Sequence, residues 1–255
     1  MFISTAPMDI GEVVRVIPGR NDFETLIVCE HASNRIPRGL QGLGLDEEAP
    51  SSQVGWDPGA LDVAQDMARR MEAPQVLGAV SRLVYGSNRP SDSPGAMATW
   101  HEIPGNRDLS RTARLDRIDA VCKPFHETLA GLVKAAASTL SLLVTVHSFA
   151  PVFRDRPWEV ENGIFHGKDD RLARTTIDVV PEGFSFGTRL NETYSAADGV
   201  AHTIDRHGAA NELLNVIIEI RSDLIRTTKR KLDMADRLVA WIQEARAGFG
   251  RDGIA

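Results

Sequence analysis

Apolar residues along this chain fall into short blocks with two different periods. Residues 23–30 (FETLIVCE) hold a compact β-rich run that stops at His31, and Pro37 and Gly39 prevent its continuation. The pattern predicts a buried strand that ends in a loop. Behind Asp57-Pro58-Gly59 the period changes. Ala60, Leu61, Ala64, Met67, Ala68 and Met71 recur at helical spacing. A helix is therefore predicted from Asp57 or Pro58, with the Asp as cap and the Pro in the first turn. Residues 75–85 (QVLGAVSRLVY) read as a second strand region ending at Gly86, and residues 90–106, rich in Pro, Gly and Ser, read as a long loop. Loops of that length in compact domains are usually functional or disordered.

The second half repeats the alternation. Residues 115–137 read as one long helix despite Pro124. Residues 140–146 (LSLLVTV) are the clearest buried strand, and they run directly into His147. Residues 152–157, and those from Ile164 onward, add strand character. Residues 171–179 are helical or mixed, and 184–203 are loop-like. Residues 213–220 (LLNVIIEI) form a last apolar strand, and 227–247 close as an amphipathic helix. Alternating strands and helices predict an α/β layered domain with a largely parallel or mixed sheet, and the length suits a single domain over 1–255. Ligands of such sheets bind beyond the carboxyl ends of the strands, so the residues just after each strand matter most.

Composition narrows the classes of function. Hydrophobic residues make up 42% and charged residues 25%, as in ordinary globular proteins. A net charge of −6 argues against nucleic acid as a partner, while leaving room for a local basic pocket and a small acidic substrate. Two cysteines, Cys29 and Cys122, form no CxxC pair and suggest no disulfide framework. No basic n-region with an apolar run opens the chain, and no apolar stretch reaches the roughly 18 residues of a membrane span. The expectation is a cytoplasmic protein with no membrane partner, as a monomer or a homo-oligomer.

Three predicted strand ends carry metal-binding or catalytic residue types: Glu30 and His31, His147 and Ser148, then Glu219 and Arg221. Asp57 waits at a helix start. Two histidines and a carboxylate with an open fourth position is a common catalytic zinc set, and a further carboxylate can then take a proton from water. Against this, a lone histidine after a strand is more often a satisfied polar residue, Asp57 alone reads as a helix cap, and no HExxH helix is present. Asn88-Arg89 suits a carboxylate, since Arg grips it in a two-point fork. A surface Arg in a turn is the plain alternative. Asn191, Tyr194, His202 and His207 read as loop residues able to line a pocket. The two histidines are five apart and do not share a helical face. His126 reads as a helix-face histidine at the core edge, and His101 as a lid residue of the long loop. His166 has no supporting context. Cys29, inside a buried strand, reads as an inert thiol.

Taken in order, several segments resemble the N-formylglutamate amidohydrolase family. They are CEHASNRIP at 29–37, GWDPGA at 55–60, SRLVYGSNRP at 81–90, IPGNRDLS at 103–110 and PFHETL at 124–129. VHSFAPVF at 146–153, NETYSAADGVAHTIDRHG at 191–208 and IEIRSDLI at 218–225 complete the set. The resemblance implies a three-layer αβα fold similar to zinc carboxypeptidase-like hydrolases. It also implies hydrolysis of an N-acyl acidic amino acid, N-formyl-L-glutamate foremost, with Zn2+ or another divalent metal. It assigns His31, Asp57 and His147 as ligands, with Glu30 the rival of Asp57. Glu219 becomes the base and proton shuttle, and Arg221 or a histidine the oxyanion partner beside the metal. Asn88 and Arg89 become the carboxylate clamp, with Asn191, Tyr194 and His207 lining the pocket. HASN lacks the Gly of HSG, and VYGSNRP lacks the Asp of DxNRP, so the chain looks like a divergent branch.

Two rivals differ in class. GFSFG at 183–187 fits a G-x-S-x-G elbow with Ser185 as nucleophile, which requires a strand before it and a helix after it. The other is a non-catalytic binder of an acidic metabolite on the same fold. A zinc amidase of cell-wall peptide shares the strand-end logic but needs export.

Overall fold

The computed structural model describes residues 10–46, 52–97, 103–153, 155–182, 184–192 and 199–249. Seven strands form one sheet: β1 (Val14–Ile17), β2 (Thr25–Cys29), β3 (Gln75–Gly78), β4 (Leu142–Phe149), β7 (Asn162–Phe165), β8 (Thr188–Leu190) and β9 (Leu214–Arg221). Their spatial order is β1-β3-β2-β4-β9-β7-β8. Strands β3, β2, β4 and β9 run parallel, β1 pairs antiparallel with β3, and β7 pairs antiparallel with β9. Two short strands, β5 (Val152–Phe153) and β6 (Arg156–Pro157), pair separately as a hairpin.

Helices cover both faces, giving the three-layer α/β architecture. On one face lie α1 (Ala60–Met71), α4 (Arg171–Asp178) and α5 (Thr228–Ala247). Their apolar stripes meet Ile27, Val144, Val146, Ile218 and Ile220 in one buried cluster. In α5 the stripe is Met234, Ala235, Leu238, Trp241, Ile242 and Ala245 at helical spacing, and Thr227 caps its start by accepting from the Arg230 amide at 3.3 Å. Trp241 is fully buried and donates to the Thr176 carbonyl at 2.6 Å, which ties α5 to α4. On the other face, Phe125, Leu129 and Val133 of α3 (Lys123–Ala135) pack on Leu26, Val28, Leu143 and Ile217.

Several elements differ from their sequence expectation for identifiable reasons. The helix expected over 115–137 is α2 (Arg111–Arg117), a π-helical turn (Ile118–Cys122) and α3 in succession. Pro124 supplies no N–H and crowds the carbonyl four residues earlier, and a π turn absorbs that conflict without ending the helix. The strand expected over 75–85 stops at Gly78, and residues 81–85 curl into turns around the Ser81 carbonyl. Their apolar side chains, Leu83, Val84 and Tyr85, join Ala96, Met97, Ile103 and Val121 in a small core of their own. Edge strands β1 and β8 arise where no strand was expected. Each is short and partly exposed, so its apolar signal is weak.

The connections put a switch point at the sheet centre. From β2 the chain moves outward through α1 to β3, then returns on the opposite face through α2 and α3 to β4 on the far side of β2. Ligands in open α/β sheets collect at the carboxyl ends of such a strand pair.

Candidate functional site

Register builds the site. Val28 and Thr145 are the last β2–β4 pair, so two residues on, Glu30 and His147 stand side by side. His147 in turn pairs with Glu219 of β9. Side chains alternate along strands, so Glu30, His147 and Glu219 form a row on the α3 face, at the carboxyl ends of three parallel strands. His31 follows one residue later as the chain turns away.

Asp57 enters from the opposite direction. It does not cap α1; Gly59 stands at the cap position and no side chain caps that helix. Gly59 has φ +83°, and a Cβ there would come within 2.9 Å of Ile225, so the turn after Asp57-Pro58 requires glycine. The backbone N–H of Asp57 donates to the His31 carbonyl at 3.1 Å. Its carboxyl Oδ2 lies 2.8 Å from Nδ1 of His147 and 3.3 Å from Nδ1 of His31. All three residues are buried, and one donor atom from each lies within 4.8 Å of the others. Among the described residues this is the one such group.

The surroundings hold the three in place. Arg82 pairs with Oδ1 of Asp57 and donates to the Trp56 carbonyl at 2.7 Å. Gln53 donates to the Ser148 carbonyl at 2.6 Å, and the Ser148 hydroxyl donates to the Pro58 carbonyl at 3.0 Å. On the other side of the His147 ring, Nε2 lies 3.1 Å from Oε2 of Glu30. Burial alone would raise the Glu30 carboxyl, but His147 beside it, with His31 nearby, brings it down to about 2. Burial opposes charge on His147, yet Glu30 and Glu219 carry its pKa above the ordinary histidine value. His31 is pushed well below that value by burial, then by the charges of Arg82 and His147. Burial raises Glu219, only partly offset by His147 and Arg82.

The remaining expected residues divide. Asn88 is buried, with Oδ1 lacking a hydrogen-bond partner, and the Arg89 guanidinium lies by the turn at Pro94–Ala96, close enough for its charge to reach His31. Arg221 shares a face with Glu219, but its guanidinium is engaged by Glu161 at 3.1 Å, Asp223 at 2.8 Å and the Trp158 carbonyl at 3.1 Å. The structure does not bring Asn191 to the triad. It follows β8, and its side chain accepts from the His166 amide at 3.1 Å, toward the opposite end of β9 from Glu219. His207 contacts His126 instead of the triad. Tyr194 and His101 lie outside the described residues. Arg82 lies within the 81–90 segment and Gln53 in none of those that carry the resemblance; the roles of both emerge only from the fold.

The serine reading finds no support in the geometry. Ser185 lies between helix α4 and strand β8, the reverse of a strand-to-helix elbow. Asp205 accepts from the Lys168 amide at 2.7 Å. Cys29 is fully buried and its thiol is pushed up by that burial.

Residues 23–226 match the N-formylglutamate amidohydrolase family. The chain belongs to that family. Among solved structures, it is similar to a gene product of Agrobacterium tumefaciens with 40% identity and a TM-score of 0.88, covering 94% of this chain and 96% of the other. It shares its fold with an N-formylglutamate amidohydrolase from Ralstonia eutropha at 14% identity and a TM-score of 0.62, covering 94% and 99%. No curated protein matches. Membership of this amidohydrolase family supports amide hydrolysis as the chain's chemistry, on a mixed, mostly parallel sheet. No helix among the described residues is long and apolar enough to cross a membrane.

Proposed function

We propose that this chain hydrolyses the amide of an N-acyl acidic amino acid, N-formyl-L-glutamate foremost, using a divalent cation, zinc in the first instance, held by His31, Asp57 and His147. One observation carries the reading: two histidine Nδ1 atoms converge on one oxygen of Asp57 while Glu219 stands one strand away. The donor set fits the cation. Ligands bonded to zinc at about 2.0–2.1 Å in a tetrahedron stand about 3.3 Å apart. The nitrogens here lie 3.3 and 2.8 Å from the shared oxygen. Three protein ligands leave a position open for water or substrate.

When bound, the cation supplies Lewis-acid polarisation of the carbonyl and acidifies the attacking water. The chain's own residues do the rest. Glu219, its pKa raised by burial, takes the water's proton and passes it to the leaving nitrogen. Arg82 pairs with Oδ1 of Asp57 and so holds that carboxylate toward the two histidines. Asn88 and Arg89 hold the substrate carboxylate. Arg221 braces the end of β9.

The test is a panel of N-formyl and N-acetyl acidic amino acids presented to zinc-loaded protein, with free amino acid as the readout. Release from N-formyl-L-glutamate that stops on chelation is expected. Stoichiometric zinc without turnover of any member would overturn the substrate class. Binding of an acidic amino acid by protein that takes up no metal would favour the binding-module reading.

A further inference from the structure

Three histidines gather outside the metal-ligand cluster and have no part in the mechanism above. His126 of α3 is fully buried, and His207 in the π-helical turn Ile204–Gly208 is 2% exposed. Nδ1 of His126 lies 2.9 Å from Nε2 of His207, and Nε2 of His126 lies 3.0 Å from the Ser87 carbonyl. These contacts determine where the protons sit. A carbonyl only accepts, so Nε2 of His126 carries a hydrogen. Burial, with His207 and His202 close by, holds His126 neutral. Its Nδ1 is therefore bare, and Nε2–H of His207 donates to it. The bonds run one way, from His207 through His126 to Ser87.

The end of that chain is informative. Ser87 directly precedes Asn88 and Arg89. The same backbone is gripped again one residue later, where the His202 amide donates to the Asn88 carbonyl at 3.3 Å. The His202 ring stands edge-on to His126, with centroids 5.0 Å apart. Within the loop, the Arg89 amide donates to the Gly86 carbonyl at 3.0 Å. A histidine present only to fill core volume would need neither bond; an apolar side chain would serve.

We propose that His126 and His207 are positioning residues: their one-way hydrogen-bond chain to the Ser87 carbonyl fixes the backbone that presents Asn88 and Arg89 to the substrate carboxylate. The inference deepens the proposed function and rests on Asn88 and Arg89 being the carboxylate clamp. Its physical core, a loop locked by two histidines, stands whether or not that clamp is used.

The test compares His126→Leu, which removes both bonds, with His126→Gln, whose amide can donate to Ser87 and accept from His207. Hydrogen exchange at the Arg89 amide reads the loop without any need for activity. It is expected to quicken about tenfold or more in His126→Leu and to return near the native rate in His126→Gln. With zinc-loaded protein, the KM for N-formyl-L-glutamate is expected to rise about tenfold in His126→Leu, with kcat moving less than about threefold. Nitrogen NMR of the unaltered protein should show His126 with Nε2 protonated and Nδ1 bare, which decides the matter if the Leu variant does not fold. A folded His126→Leu protein with native exchange at Arg89, a loss in kcat alone, or a protonated Nδ1 on His126 would each overturn the proposal. If the unaltered protein hydrolyses no such substrate, the substrate reading fails, while the exchange and NMR results still decide the loop lock.

Discussion

Lowering the pH from 7 to 5 is expected to destabilise this fold through His126 and His207 by an amount set by their burial. Burial and the neighbouring histidine lower His126 to about 3; burial, with Arg206 and His202, lowers His207 to about 4. In the unfolded chain each titrates near the ordinary value of about 6.5. Below that pH the unfolded chain binds protons that the folded chain refuses. The stability these groups confer is therefore fully present above pH 6.5 and is lost as pH falls through about 4 for His207 and about 3 for His126. At about 1.4 kcal/mol per pH unit, His126 alone accounts for about 2 kcal/mol by pH 5. The bond pattern also orders the two protonations. A proton added at Nδ1 of His207 leaves its Nε2–H donating to His126. Both nitrogens of His126 are engaged, so its protonation breaks the link.

Urea unfolding at pH 7, 6 and 5, in the presence of a chelator, measures this. His126→Gln cannot titrate, and every carboxylate it shares with the parent contributes equally to both curves. The parent is expected to lose about 2 kcal/mol more than His126→Gln between pH 7 and 5. Parallel curves, or a larger loss in the variant, would refute the assignment of a neutral buried His126.

Three other outcomes follow from the site. Glu219→Gln is expected to keep its metal and lose about 10²–10⁴ in kcat, measured with zinc content alongside turnover; near-normal turnover would remove Glu219 as the base. Because burial raises Glu219 above the ordinary carboxylate value, kcat/KM is expected to rise with pH through a group above 4.5, and an acid limb at or below that value would contradict it. Asp57→Ala removes the proposed metal donor and the buried carboxylate beside the Arg82 guanidinium, so a large fall in zinc affinity and a stability loss of about 3 kcal/mol are expected by chelator competition and urea unfolding.

Much of the fold was legible in the chain because its central strands are buried on both faces. Runs such as LLVTV and VIIEI have no competing reading as surface structure, and they appear as β4 and β9 close to their expected bounds. The helix from Thr228 was legible for the same kind of reason, a continuous stripe with a Thr cap. What escaped was structure fixed by tertiary context. Strand β8 has three residues, none of them fully buried, and it exists because β7 offers it an edge. Residues 81–85 look like a strand continuation, yet they bury their apolar side chains by curling onto Ile103 and Val121. Period alone cannot separate those two ways of hiding Leu83 and Val84.

The site shows the same division in sharper form. His31, His147 and Glu219 could be singled out because strand ends are where α/β sheets bind ligands, but which of them share a face depends on register. Leu26, Val28 and Glu30 have one parity; so do Leu143, Thr145 and His147, and so do Ile217 and Glu219. Once Val28 is opposite Thr145 and His147 opposite Glu219, the row of Glu30, His147 and Glu219 is unavoidable. A one-residue slip of β4 would send His147 to the α1 face and bring Val146 into the row. Parity also explains why Glu30 and Asp57 reach different atoms of the histidines. Glu30 stands beside His147 in the row and meets its Nε2, whereas Asp57 arrives from the α1 turn and meets Nδ1 of both histidines. The residue that approaches from outside the sheet is the one within 3.3 Å of both histidine rings. Its placement depends on Gly59, whose left-handed turn lets α1 begin while the Asp57 carboxylate stays behind at the strand ends.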